Sequence, residues 1–345
     1  MDPGQGPQQR SECFAVPLGV MQPGTVAPVD LYIGPGDGSE VILYKSAGAP
    51  LQEETRSRLL ERGVTRLFLS KKDERTYREY VEANLEAIIR DDIMPREEVS
   101  QLVYESSSRV MGDVFENPRS GGHLRRARRM VEATVQAVLK DPSSLWCMAS
   151  VASHDYYTYT HCVNVGMFMA AAAHDILGVT DRQELNAIGL GGVFHDIGKT
   201  EVPEQILSKP GKLTAEEFEI IKKHPVNGLE LVLQHQKLAP VSSHIIRHHH
   251  ERFAGGGYPS SKPEADMPAQ VRLATIVDVY DALTTNRSYA KARTPFAALE
   301  LMMEQMSGHF DPDLLKAFVR FLGPRDLSKK VPTEWRVAVH GGAVS

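Results

Sequence analysis

The chain has 345 residues, 42% hydrophobic and 24% charged, with 39 Lys and Arg against 44 Asp and Glu for a formal net charge of −5. This composition is globular and excludes extended disorder, and the slight acidic surplus excludes the basic footprint of a binder of polymeric nucleic acid. Three scattered cysteines, Cys13, Cys147 and Cys162, make a poor disulfide framework, so reduced thiols are expected.

Length suggests two domains, or one domain with a substantial regulatory addition. Residues 1–11 are rich in Gly, Pro and Gln and are expected to be disordered, and no basic segment followed by an apolar one marks a secretory signal there. From Cys13 to Leu69 the runs Phe14–Met21, Val29–Ile33, Val41–Tyr44 and Val64–Leu69 predict short strands, with Gly34–Gly38 as a hairpin turn and a helix over Gln52–Arg62 ended by Gly63. Residues 12–90 therefore form a small α+β domain without catalytic spacing, read as regulatory or as the seat of a homodimer.

Helical spacing follows over Lys71–Ile89, Pro95–Phe115 and His123–Lys140, and residues 91–140 read as a helical linker. The arginines of the last helix, Arg125, Arg126, Arg128 and Arg129, read as a solvated face. Beyond Pro142 the pattern is almost wholly helical. Thr214-Ala215-Glu216-Glu217 has the form of a capping box, Pro295 and Pro312 mark helix starts, and the Gly- and Pro-rich stretch from Gly255 to Pro268 is a loop. The longest apolar run, Val165–Ala173, is far short of the roughly 20 residues of a membrane span, so a cytoplasmic protein is expected. The fold class is mainly α, with a catalytic bundle over residues 141–325 and a tail over 326–345.

Eleven of the thirteen histidines lie between His154 and His309. Among them His161, His195-Asp196, His224, His249-His250 and Asp278 offer imidazoles and carboxylates, ligands that suit transition-metal ions, and their spread over several helices is how a buried multi-metal site is assembled. Asp196, beside an imidazole, is expected to bridge two cations. Adjacent helical residues point about 100° apart, so the run His248–His250 cannot all face one metal, and His248 is the expected bystander.

Around these ligands stand His195-Asp196-Ile197-Gly198-Lys199, then Ile206-Leu207-Ser208-Lys209-Pro210-Gly211-Lys212-Leu213-Thr214, His224-Pro225, His249-His250-Glu251 with Gly256-Gly257-Tyr258-Pro259, and Asp278-Val279-Tyr280-Asp281-Ala282-Leu283-Thr284 with Arg287. Over about 155 residues this order resembles the HD-GYP family of cyclic-di-GMP phosphodiesterases. The resemblance implies an all-helical HD-type bundle that opens cyclic-di-GMP to pGpG, with slow passage to GMP as a further step. It implies two divalent metals, iron or manganese, with His161, His195 and Asp278 on one and His224, His249 and His250 on the other. Lys199 would neutralise a phosphate oxygen as charge builds, and Tyr258 and Arg287 match residues of the family's ligand-binding region.

Two positions depart from the family. Tyr157 stands where members with a third metal carry glutamate, which favours a dinuclear centre, and Ala254 replaces the aspartate before the Gly-Tyr-Pro loop. The rival reading is a catalytically weak receptor or interaction module that binds diguanylate-cyclase domains through that loop. A dinuclear iron oxygenase shares the ligand pattern but would not require Lys199 or Tyr258.

Overall fold

The computed structural model describes residues 8–9, 12–34, 40–152, 158–261, 267–286 and 291–323. Contacts divide the chain into two compact units, residues 1–102 and 103–345.

In the first unit five strands pair in the order β1-β4-β3-β5-β2, all antiparallel: β1 (Gln8–Gln9), β2 (Cys13–Pro17), β3 (Leu31–Ile33), β4 (Glu40–Lys45) and β5 (Arg66–Ser70). Cys13, Tyr32, Val41 and Phe68 form a buried cluster with Leu43 against it. The strand expected to run to Met21 stops at Pro17 and gives way to a 3₁₀ turn over Leu18–Val20, because proline has no N–H with which to continue a ladder. Helix α1 (Glu53–Glu61) closes with Gly63 at φ 76°, the left-handed conformation that glycine adopts most readily after a helix. Helix α2 (Glu74–Arg90) follows, and its amphipathic face buries Tyr77, Val81, Leu85 and Ile88. Part of the expected turn at 34–38, residues 35–38, lies outside the described residues.

The division between the units falls within α3 (Arg96–Glu116). The second unit continues with α4 (Gly121–Lys140), α5 (Ser144–Val151), α6 (Thr158–Leu177), α7 (Arg182–Phe194), a 3₁₀ turn over Ile197–Glu201, α8 (Glu204–Leu207), α9 (Ala215–Ile221), α10 (His224–Leu233), α11 (Pro240–His248), α12 (Ala269–Thr284), α13 (Pro295–Gln305) and α14 (Pro312–Leu322). The fold class is thus mainly α with a small N-terminal α+β unit. No helix among the described residues is long and apolar enough to cross a membrane.

Helix α6 is the axis of this unit. Every residue from Thr160 to Ala173 is buried, which an all-round apolar helix achieves only inside other helices. It packs against α4, α7, α12 and α14. At the α6–α7 crossing a Cβ on Gly192 would stand 2.8 Å from Gly166 Cα, so two facing glycines let the backbones approach closely. Side chains fix the helix starts: Asp181 Oδ2 accepts from Glu184 N, Thr214 and Glu217 close a reciprocal capping box, and Asp311 Oδ1 accepts from Asp313 N and Leu314 N. Capped by Asp181, α7 begins at Arg182, three residues before its first apolar residue, Leu185.

Candidate metal centre

Six elements deliver side chains to one buried place. His161 projects from the first turn of α6. His195 ends α7, Asp196 opens the 3₁₀ turn and Lys199 lies within it. His224 begins α10, His249 ends α11 with His250 next, and Asp278 lies in α12. His161, His195, Asp196, His224, His249 and Asp278 are all buried, and His250 is half-buried. One close approach sets the register: a Cβ on Gly198 would lie 2.0 Å from His224 O and 2.6 Å from Gly228 N. Only a residue without a side chain at 198 lets α10 bring His224 up to Asp196.

Three of the histidines are oriented by the same device. Nδ1 of His195, His224 and His249 lies 2.7, 2.8 and 2.9 Å from the carbonyl oxygens of Gly192, Ile221 and Ile246, each three residues earlier. A carbonyl oxygen only accepts, so each Nδ1 carries a proton and each Nε2 is left to face the donor groups. His161 is held instead by a carboxylate, its Nδ1 donating to Asp281 Oδ2 at 2.7 Å. Such outer partners fix ring orientation and raise ligand basicity.

The donor atoms fall into two groups: Asp196, His224, His249 and His250 in one, and His161, His195 and Asp278 in the other, the atoms of each lying within 4.8 Å of one another. Asp196 faces both. Its Oδ1 lies 3.1 Å from His224 Nε2 and 3.8 Å from His249 Nε2, while its Oδ2 lies 3.4 Å from His195 Nε2 and 3.7 Å from His161 Nε2. Asp278 Oδ1 is 3.1 Å from His161 Nε2.

This arrangement fits divalent cations. His195 Nε2 and Asp196 Oδ1 are buried without a hydrogen-bond partner among the described residues, a costly state for polar atoms unless an ion completes them. His224 Nε2 and His249 Nε2 stand 3.2 Å apart, and two lone pairs at that distance repel unless a cation lies with them.

Electrostatics points the same way. Burial holds His249 well below its ordinary pKa and lowers His250 to about 3, leaving both neutral and able to ligate near pH 7. Burial alone would also lower His195, but Asp196 and then Asp278 raise it to about 10. Burial alone would raise Asp196, yet Lys199 and His195 hold it well below the usual carboxylate range. Between these carboxylates a proton on His195 supplies positive charge that a metal ion would supply instead.

Lys199 Nζ donates to Asp196 Oδ2, and its side chain is 19% exposed. The Tyr258 ring sits 4.7 Å from the His250 ring and 6.4 Å from that of His224, and its N–H donates to His250 O at 3.2 Å. Ala254, in place of the family's aspartate, is tied by its own N–H to Gly308 O at 2.9 Å. His248 lies outside both donor groups, with Nδ1 3.7 Å from Glu251 Oε1. Arg287 and Tyr157 lie outside the described residues.

Three supporting residues carry no role in the sequence reading. Asp281 anchors His161; Glu251, itself buried, accepts Ser260 N at 2.6 Å and so ties down the Gly-Tyr-Pro loop; Thr275 Oγ1 donates to His249 O at 2.9 Å. Of these only Asp281 left a signal, lying three residues after Asp278 and hence on the same helix face.

The second unit is thus a helical bundle with two adjoining, buried His/Asp donor groups fit to hold metal ions. Residues 129–314 match the HD domain family, and the chain belongs to that family as an HD-GYP member. It is 37% identical over 224 residues to the cyclic di-GMP phosphodiesterase PA4108 of Pseudomonas aeruginosa, covering 64% of this chain and 53% of that protein. It is 34% identical over 168 residues to the 3'3'-cGAMP-specific phosphodiesterase 2 of Vibrio cholerae, covering 48% of this chain and 32% of that protein. The chain therefore spans about half or less of the length of these curated relatives. Bd1817, a HDG"Y"P protein from Bdellovibrio bacteriovorus, shares the fold with TM-score 0.61 at 21% identity, over 90% of this chain and 99% of that one.

Proposed function

We propose that this chain hydrolyses cyclic-di-GMP to pGpG at a pair of divalent cations, iron or manganese. His161, His195 and Asp278 would hold one cation and His224, His249 and His250 the other, with Asp196 shared between them. The observation that carries this reading is the division of Asp196, whose two oxygens face different donor groups. Two such cations would supply Lewis acidity and a water acidic enough to attack phosphorus near neutral pH.

The chain's own residues do the rest. Water oxygen bonds to phosphorus as the bond to the ribose 3' oxygen breaks, and the proton passes to that oxygen, leaving a 5'-phosphate on pGpG. Lys199, anchored by Asp196 and reaching toward solvent, neutralises a non-bridging phosphate oxygen as charge accumulates, a preorganised cation that favours the transition state over the ground state. Tyr258 offers an aromatic wall beside His250, and Arg287 a planar fork for phosphate or guanine. Cys13, Cys147 and Cys162 are in no disulfide among the described residues, which suits the cytoplasm. The loop around Gly256 and Tyr258 is assigned to a diguanylate-cyclase partner, and the N-terminal unit, which has no metal-competent cluster among its described residues, to regulation or to a homodimer.

The test is metal analysis of protein purified without air, paired with product analysis on cyclic-di-GMP, for the parent chain and Asp196→Ala. The variant is expected to lose both cations and turnover, since without the shared carboxylate two like charges repel unscreened. Full metal content with normal turnover in Asp196→Ala would remove the dinuclear reading, and rapid, quantitative release of GMP by the parent chain would remove pGpG as the product.

A further inference from the structure

Helix α9 places an aromatic ring at the mouth of the metal centre. Phe218 is 45% exposed, and a lone exposed phenylalanine would need no explanation. Its setting is not that of a lone residue. The Phe218 ring stands 6.3 Å from the Tyr258 ring at 83°, and Tyr258 lies 4.7 Å from His250 at 32°. From a candidate metal ligand to solvent there is thus an unbroken aromatic path, His250 to Tyr258 to Phe218. At its outer end Lys222 Nζ lies 5.2 Å over the Phe218 ring, while Lys222 also pairs with Glu219. The short helix is pinned so that this ring cannot wander: Thr214 and Glu217 cap it, and Lys209 Nζ holds Glu217 at 2.8 and 2.6 Å.

We propose that Phe218 is a base-stacking, specificity-determining residue that takes a purine of the nucleotide whose phosphate sits at the metals. The chemistry is general. A nucleobase has a π-face that an exposed ring matches, and the ring's open side with a cation alongside suits an electron-rich purine held near its own phosphate. Phe218 belongs to neither metal donor set, so it acts on the base and not on the ions. The inference rests on the reading of the site as a nucleotide phosphodiesterase and adds what recognises the base.

The experiment uses the metal-loaded full chain and compares Phe218→Ala, Phe218→Leu and Phe218→Trp, measuring calorimetric affinity for GMP and for inorganic phosphate together with KM and kcat on cyclic-di-GMP. Phe218→Ala is expected to weaken GMP by about 5- to 100-fold, the scale of one base–aromatic stack, and to raise KM by a similar factor, while phosphate affinity and metal content hold. Trp should restore GMP binding and Leu should not. Equal weakening of GMP and phosphate, no change in either, or rescue by Leu overturns the assignment. If the parent chain fails to hydrolyse cyclic-di-GMP yet the GMP pattern holds, the proposed activity falls and the stacking role stands. If it hydrolyses cyclic-di-GMP and the Phe218 variants bind GMP normally, the reverse is true.

Discussion

At the scale of single residues, the partner of a ligand matters as much as the ligand. Asp281 belongs to neither donor group and acts through His161, whose Nδ1 donates to it at 2.7 Å. Asp281→Asn keeps the shape but removes the charge that orients and strengthens that imidazole, so metal affinity of the group containing His161 is expected to fall by about 10- to 100-fold. Competition with a chelating dye measures it, and His248→Ala, outside both donor groups, serves as the control with unchanged metal content. His195 yields a pH prediction. Its pKa in the metal-free chain is raised to about 10 by Asp196 and Asp278 against the opposing effect of burial, so at any pH below that value the ring is protonated and a cation must displace the proton. Metal affinity should therefore fall as pH falls, and loading at pH 8 should release a proton from this ring. Calorimetry in two buffers of different ionisation enthalpy reads the proton count, and equal apparent enthalpies in both would contradict the protonated state.

At the scale of elements, the site depends on helix ends being brought to one place. The contact of the 3₁₀ turn with α10 is the tightest example, because a methyl group at 198 would collide with backbone, at 2.0 Å from His224 O. Backbone cannot rotate aside as a side chain can. Gly198→Ala is therefore expected to destabilise the second unit by about 1–3 kcal/mol or more and to draw His224 away from Asp196. Urea unfolding together with metal stoichiometry tests this. A fully loaded, equally stable variant would show that α10 can retreat without cost. Element boundaries were less legible than element types for the same reason: Pro17 ended β2 early, and the side-chain cap at Asp181 set the start of α7 upstream of its apolar pattern.

At the scale of the whole molecule, the two units should respond differently to metal. The donors come from α6, α7, α10, α11, α12 and the turns at their ends, all within residues 103–345, so bound cations cross-link that unit and stabilise it by mass action. Removing metal with a chelator is expected to raise amide exchange in peptides of those helices and lower their unfolding temperature by several degrees, while peptides of residues 12–90 exchange as before. Hydrogen-exchange mass spectrometry separates the two, and uniform loosening of both units would contradict a site confined to the second.

Some of this was fixed by sequence because it depends on local chemistry. Helical periodicity, the Thr214–Glu217 capping box, the starts at Pro295 and Pro312, the HD-type motif order and the residue types fit to bind a metal are properties of short stretches, readable without knowing what lies opposite. The division of the donors into two groups was not local. His161 and Asp281 are 120 residues apart, and only the packing of α6 against α12 makes one the anchor of the other. Nor could sequence show that carbonyls of Gly192, Ile221 and Ile246 aim three imidazoles, since backbone carbonyls look alike in every residue and acquire direction only when a helix ends where a ring must turn inward. The contact of exposed Phe218 with Tyr258 likewise arises from helix α9 meeting the Gly-Tyr-Pro loop, because contact between distant segments is decided by the fold and not by either segment.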